Sequence, residues 1–160
     1  MKIILLIFSL MFAQSTGGDV REARKDILLS INRDNVSIFI NGIWTEAEEV
    51  CRKNNLPLAL LIAQSCLESG FGRSNIAKTK CNFLGIKRNG EYRTFANERE
   101  CFEAWSKVMS QSCYDGESPS NLEEWIEALK TCKYAESKKY RRKVRSIIKS
   151  YRLNLIPEKL

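Results

Sequence analysis

The chemistry available to this chain starts from one glutamate in an unusual position. Glu68 follows an almost uninterrupted apolar run, Leu58 to Leu67, which Pro57 opens at a first-turn position and Gly70 stops. A helix that is apolar on nearly every side is a buried one, so Glu68 is predicted to lie in the last turn of a core helix. The helix macrodipole is negative at that end and disfavours an ionised carboxylate by ~0.3–1 kcal/mol. Burial acts in the same direction. Both effects keep the carboxyl protonated closer to neutral pH, which is what a general acid needs. The plain alternative is a solvated glutamate at a helix end. Gln64 lies four residues earlier and shares its face, with Ser65 beside it. Cys66, on the same helix, is read as a buried or disulfide-bonded thiol and not as a nucleophile, because no histidine exists to activate it.

That absence is general: the chain has no histidine at all. Ser-His-Asp and Cys-His catalysis are therefore excluded. Without histidine or a C-x-x-C pair, the sequence also argues against zinc. Carboxylate, tyrosine, lysine and thiol remain for acid–base work, and no cofactor is implied.

The elements that must hold Glu68 fit a single domain. At 160 residues such a domain buries roughly two thirds of its unfolded surface. Lys2, the apolar run Ile3 to Phe12 and then Ala13-Gln14-Ser15 read as a secretory signal, too short to span a bilayer. The expected layout is a signal over 1–13, a linker over 14–18, a folded domain over 19–156 and a tail over 157–160. No integral membrane segment is expected after cleavage, and the location is secreted, periplasmic or otherwise in the cell envelope. Cys51, Cys66, Cys81, Cys101, Cys113 and Cys132 make an even set, compatible with disulfides in an oxidising compartment. Fifteen pairings are open to them. The formal charge of +7, one lower once Lys2 is removed, suits polyanions such as cell-wall polymers.

In chain order, Asp19 with Glu22 opens a first helix whose Val20, Ala23, Ile27, Leu28 and Ile31 face the core. A second follows Asp34, carrying Val36, Phe39, Ile40, Ile43, Ala47, Val50 and Cys51 inward and ending at Asn54-Asn55. The central helix comes next, then a short turn capped by Ser74. Cys81 to Lys87 reads as a strand, Arg88-Asn89-Gly90 as a turn, and Glu91 to Phe95 as the partner strand of a small hairpin. Asn97 with Glu100 caps a helix that turns Phe102, Trp105, Val108 and Met109 inward. Ser120 with Glu123 caps another, carrying Leu122, Trp125, Ile126 and Leu129. The last helix runs to about Arg152, with Tyr140, Val144, Ile147, Ile148 and Tyr151 on one side. Its other sides carry Lys138, Lys139, Arg141, Arg142, Lys143, Arg145 and Lys149. Such a basic helix suits an electrostatic hold on an anionic wall. Nucleic acid is not expected as a partner, since the helix interleaves few aromatics and the chain is exported. The fold class is α+β, mostly α-helical, with one short β-hairpin.

Two blocks and a third segment carry a resemblance. Leu67-Glu68-Ser69-Gly70-Phe71-Gly72-Arg73-Ser74 and then Asn82-Phe83-Leu84-Gly85-Ile86-Lys87 resemble the bacterial glucosaminidase family (glycoside hydrolase family 73). Those enzymes cut the glycan strand of peptidoglycan. Tyr134-Ala135, with Tyr140 five residues beyond, resembles the family's Y-A-T-D-P-x-Y segment. The resemblance spans roughly Val36 to Tyr151. It implies a lysozyme-like fold around the central helix and a glucosaminidase-like catalytic domain over 19–156 acting on peptidoglycan; a monomer is expected. Glu68 corresponds to the catalytic acid, protonating the glycosidic oxygen as an oxocarbenium-like state develops. Tyr134 corresponds to a tyrosine near the reacting sugar. Asn82, Phe83 and Lys87 would line the cleft floor; Phe71, Tyr92 and Tyr140 are further candidates for contact with substrate. Phe71 and Phe83 suit core packing equally well.

The sequence departs from the family at Cys81, in place of the first asparagine of an N-N pair, and at Glu136-Ser137-Lys138, in place of T-D-P. The hairpin is also short. Glu91 is its only carboxylate and thus the candidate second acid, with Glu98 and Glu100 just beyond. The leading expectation is an endo-β-N-acetylglucosaminidase. An N-acetylmuramidase, a lytic transglycosylase or a degenerate wall-binding module are the alternatives.

Overall fold

Pro57 and Gly70 bracket the helix around which the chain is built. In the computed structural model, which describes residues 19–31, 34–114, 116–132, 138–158 and 160, this helix is α3, Leu58–Ser69. Pro57 sits at its N-cap, one step before the expected first turn, where its missing N–H costs nothing. Leu60, Leu61, Ile62, Ala63, Gln64, Ser65 and Cys66 have no exposed surface. Truncating Leu61 or Ile62 to Ala would cost ~2–5 kcal/mol.

The other helices wrap this rod. They are α1 (Val20–Ser30), α2 (Asp34–Asn54), α4 (Asn75–Lys80), α5 (Glu98–Ser112), α6 (Leu122–Ala128) and α7 (Lys138–Ser150), followed by a 3₁₀ turn over Leu153–Leu155. Helices α2, α6 and α7 and the 3₁₀ turn pack directly on α3, while α5 packs on α2. Most of the periodic residues of α2 and α5 are buried as the spacing predicts, with Phe39 and Val108 only partly so and Trp44 and Trp105 fully enclosed. No helix among the described residues is long and apolar enough to cross a membrane. The expected signal and linker, residues 1–18, lie outside the described residues.

Three expectations need correction. The cap of α6 is Asn121 paired with Glu124, one residue later than Ser120 with Glu123: Asn121 Oδ1 accepts from Glu124 N at 2.9 Å, and Glu124 Oε2 accepts from Ser120 N at 2.8 Å. Glu123 instead faces Arg145 of α7. Second, the hairpin is only β1 (Lys87–Arg88) and β2 (Glu91–Tyr92), antiparallel, with Lys87 opposite Tyr92. Asn89 and Gly90 both take positive φ, 53° and 83°, the geometry of a tight primed turn. Cys81 to Ile86 is not strand, because Cys81 (φ 46°) and Gly85 (φ 64°) bend the chain away from extended backbone. Third, Arg141 is not on a solvated face of α7: it is 8% exposed, with Nε 3.6 Å from Glu127 of α6.

Of the six cysteines, Cys113 and Cys132 form a disulfide between the ends of α5 and α6. Cys51, Cys66, Cys81 and Cys101 are free thiols.

Candidate active site

The end of α3 shows why the run Glu68-Ser69-Gly70-Phe71-Gly72 has its composition. Gly70, Phe71 and Gly72 are all left-handed (φ 56°, 59° and 74°), which reverses the chain within three residues. Phe71 N–H and Gly70 N–H both reach the Cys66 carbonyl, satisfying a helix end that would otherwise be orphaned. Ser69 ties the turn down: its hydroxyl donates to Ser65 O at 2.6 Å and accepts from Gly72 N at 2.7 Å. A Cβ on Gly72 would stand 2.7 Å from Phe39 Cδ2, so only glycine fits. The result places Glu68 at a rigid helix exit.

Glu68 opens into a cleft of about 720 Å³. Leu84, Ile86 and Val108 make its apolar wall, Lys87, Ser112 and Thr131 its polar lining, and Gly85 lines it too. A Cβ on Gly85 would lie 3.3 Å from Glu68 Oε2. The Glu68 side chain is open to the cleft, yet the surrounding walls strip water from its carboxyl. That desolvation raises its pKa, opposed by a hydrogen bond from Tyr140 and by the charge of Lys143. Burial wins, in the direction the helix-end argument requires.

Behind Glu68 runs a buried chain of hydrogen bonds. Trp105 Nε1 donates to Gln64 Oε1 at 2.9 Å, and Gln64 Nε2 donates to Tyr140 Oη at 3.1 Å. Tyr140 in turn acts on the neighbouring Glu68 carboxyl, lowering its pKa. Burial and the neighbouring Glu68 charge push the Tyr140 phenol up, so it stays protonated and acts as a donor.

The structure brings Glu68, Tyr140 and Lys87 of the sequence candidates to one place. Lys87 Nζ also lies over the Tyr92 ring, 4.5 Å from its centroid, so Tyr92 flanks the same strand pair with 38% of its surface exposed. Asn82 does not offer its side chain to the cleft. It is 1% exposed, and it holds the loop together: Oδ1 accepts from Ile86 N at 2.9 Å, while Nδ2 donates to Ile86 O at 2.8 Å and Arg93 O at 2.9 Å. Phe83 is half-buried between Phe39 and Phe102, with centroids at 5.9 and 6.3 Å. Phe71 packs edge-on against Tyr151 at 5.5 Å. Glu91 is exposed on β2 and does not line the cleft. Tyr134 lies outside the described residues.

Sequence reasoning missed Trp105 as a partner of Gln64, Lys143 near the carboxyl, and Ser112 and Thr131 in the cleft wall. The one available signal was Gln64 itself, an amide in an otherwise apolar run, one helical turn before Glu68.

The comparisons agree with this architecture. The family model described as mannosyl-glycoprotein endo-beta-N-acetylglucosaminidase matches residues 44–153. Among solved structures, the catalytic domain of the autolysin Auto from Listeria monocytogenes is 22% identical at a TM-score of 0.63, covering 87% of this chain and 98% of its own. The glycoside hydrolase domain of FlgJ from Salmonella typhimurium is 18% identical at a TM-score of 0.61, over 73% of this chain and 88% of its own. A peptidoglycan hydrolase from Sphingomonas sp. A1 is 20% identical at 0.60, over 72% and 89%. No curated protein matches the chain. At these identities the solved structures establish a common fold, while the family model covers more than half of the sequence. The chain belongs to the glucosaminidase family of glycoside hydrolases.

Proposed function

We propose that this protein is an exported peptidoglycan hydrolase, an endo-β-N-acetylglucosaminidase that cuts the cell-wall glycan strand with Glu68 as general acid. The observation that carries the reading is the placement of Glu68 at the exit of α3, lining the cleft, where the surrounding walls push its carboxyl pKa up against the opposing pull of Tyr140. The protonated carboxyl donates to the glycosidic oxygen as the C1–O bond breaks. Positive charge develops at C1 and the ring oxygen, and water then adds at C1 and gives its proton to the Glu68 carboxylate, which restores the acid. The similar solved structures, an autolysin and a peptidoglycan hydrolase, support the substrate. The Cys113–Cys132 disulfide supports an oxidising, extracytoplasmic location.

Among the described residues Glu68 is the only carboxylate lining the cleft. Paired-carboxylate mechanisms need a second one about 5–5.5 Å away for retention or about 6.5–9.5 Å for inversion. The lining therefore favours, as the second reading within this site, capture of C1 by the substrate's own N-acetyl oxygen before water arrives. Glu91→Gln separates the two: a loss comparable to Glu68→Gln restores the second-carboxylate role. Tyr134→Phe tests the contribution that the resemblance assigns to Tyr134.

The deciding experiment is digestion of purified peptidoglycan with identification of the products, run beside Glu68→Gln. New reducing N-acetylglucosamine ends support the proposal. Reducing muramic acid ends would make the protein a muramidase, and 1,6-anhydromuramyl ends a lytic transglycosylase. Retention on the wall without products, equal for wild type and Glu68→Gln, would leave only a binding module.

A further inference from the structure

We propose that Trp105 and Gln64 are positioning residues, forming a one-way chain of hydrogen-bond donors that holds the Tyr140 hydroxyl proton on the Glu68 carboxyl. The inference deepens the reading of Glu68 as catalytic acid and rests on it. The direction of the chain follows from chemistry alone. An indole N–H can only donate, so the Gln64 atom 2.9 Å from Trp105 Nε1 is the amide oxygen. The amide nitrogen is then the end that faces Tyr140 Oη at 3.1 Å, and it too can only donate. With its oxygen accepting from Gln64, Tyr140 has its single O–H left to give, and the neighbouring Glu68 carboxyl is the acceptor whose pKa that hydroxyl lowers.

Gln64 and Trp105 have no exposed surface, so water does not replace a missing link. A buried amide is tolerated only when both ends are paired. Here the pairing begins at an indole on α5, crosses α3 and ends at the acid. Simple core packing would be met as well by leucine at position 64.

The groups acting on Glu68 are Tyr140 and Lys143, both from α7, and Lys87 of β1 lines the same cleft. Among the described residues, the other elements packed on α3 set no further charge against it. Tyr140 and Lys143 both favour the ionised form, and desolvation opposes them. Losing the Tyr140 hydrogen bond leaves desolvation less opposed, so the carboxyl keeps its proton to higher pH. The charge effect of Lys143 is screened by salt, whereas the donor chain is shielded from it by burial.

The test uses wild type, Tyr140→Phe, Gln64→Leu, the near-isosteric Gln64→Met, and Gln64→Leu combined with Tyr140→Phe. Two quantities are read: the pH dependence of kcat/KM on purified peptidoglycan, and the titration of the Glu68 carboxyl followed by its ¹³C chemical shift without substrate. In the single variants Glu68 titrates at higher pH than in wild type. The alkaline limb of the rate profile moves up with it, and kcat/KM falls by roughly 10–100-fold as the acid loses its fixed geometry. The double variant titrates where Tyr140→Phe does, because Gln64 acts only through Tyr140. The proposal is overturned if both Gln64 variants leave the Glu68 titration where it was, whatever they do to thermal stability. It is equally overturned if the two shifts add in the double variant. A wild type that never cleaves peptidoglycan removes the catalytic reading, and the carboxyl titration still decides the donor chain by itself.

Discussion

Two opposed influences meet on Glu68, and their balance has a consequence for stability as well as for rate. Desolvation outweighs Tyr140 and Lys143, so the folded-state pKa lies above the unfolded value. By linkage, such a group contributes stability that is fully present below the unfolded carboxyl pKa, about 4.3, and lost as pH rises through the folded value. Once pH has risen past the folded value, the ionised carboxylate therefore weighs against the fold. Glu68→Gln should raise the melting temperature on that alkaline side, while cutting hydrolysis by at least on the order of 10²-fold. Calorimetry across a pH series from below about pH 4 to alkaline pH checks the sign: the gain should vanish at the acid end, and a variant that melts lower at the alkaline end contradicts the argument. Glu68 was legible in the sequence because its peculiarity is local, an oily run stopped by glycine. Trp105 was not, since it meets Gln64 across 41 residues of chain and nothing near either residue encodes that contact. Asn82 stood out by its motif, but burial turned it from an expected cleft residue into the tie of a loop.

Among the elements, the loop carrying Gly85 is the one whose backbone is built around the acid. Gly85 is left-handed (φ 64°), and an added Cβ would press within 3.3 Å of Glu68 Oε2. Gly90, in the hairpin turn, is left-handed too (φ 83°) but faces open space. Alanine at either position costs about 1–2 kcal/mol in stability from backbone strain. Only Gly85→Ala should also lower kcat/KM, because it crowds the reacting carboxyl. Chemical denaturation together with hydrolysis assays of the two variants separates strain from site geometry, and equal activity losses would refute the distinction. The helices were readable from their apolar period, and the caps at Ser74 and Asn97 from their side chains. The α6 cap was misplaced because two overlapping cap patterns stand one residue apart, and the choice depends on Arg145, a residue on another helix, engaging Glu123. The strand assignment of Cys81 to Ile86 failed for a similar reason: a short apolar stretch does not reveal in sequence that glycine and cysteine within it adopt positive φ.

At the scale of the molecule, two features tie the outer helices to the core and to the surroundings. The Cys113–Cys132 bridge closes a loop with a sequence separation of 19, and loops of that size contribute about 3 kcal/mol by restricting the unfolded chain. Reduction should lower the melting temperature by roughly 6–12 °C, and an unchanged transition in the presence of reductant would rule this out. The bridge also borders Thr131, whose hydroxyl donates to Cys113 O in the cleft wall.

The second feature is the charge on α7, and here the structure sharpens what composition alone suggested. Arg145 is engaged by Glu123 and Glu127, and Arg141 is buried against Glu127, so these two cations fasten α7 to α6 and are not free to meet a polyanion. Arg142 and Lys149 are exposed and, among the described residues, form no ion pair. If α7 holds an anionic wall, these charges, with the exposed Lys143, do it through water and at long range. Such attraction is screened over a Debye length of about 8 Å at physiological ionic strength. Raising salt to about 0.5 M should therefore release most of the protein bound to purified sacculi. Arg142→Gln with Lys149→Gln should weaken retention at low salt and flatten its salt dependence, with folding and hydrolysis of soluble glycan fragments preserved. Arg145→Gln should instead lower thermal stability through the α6–α7 contact. Sedimentation of sacculi with bound protein across a salt series measures the first two, and calorimetry of Arg145→Gln measures the third. Retention that ignores both salt and the double substitution would assign wall binding to the cleft rather than to the helix.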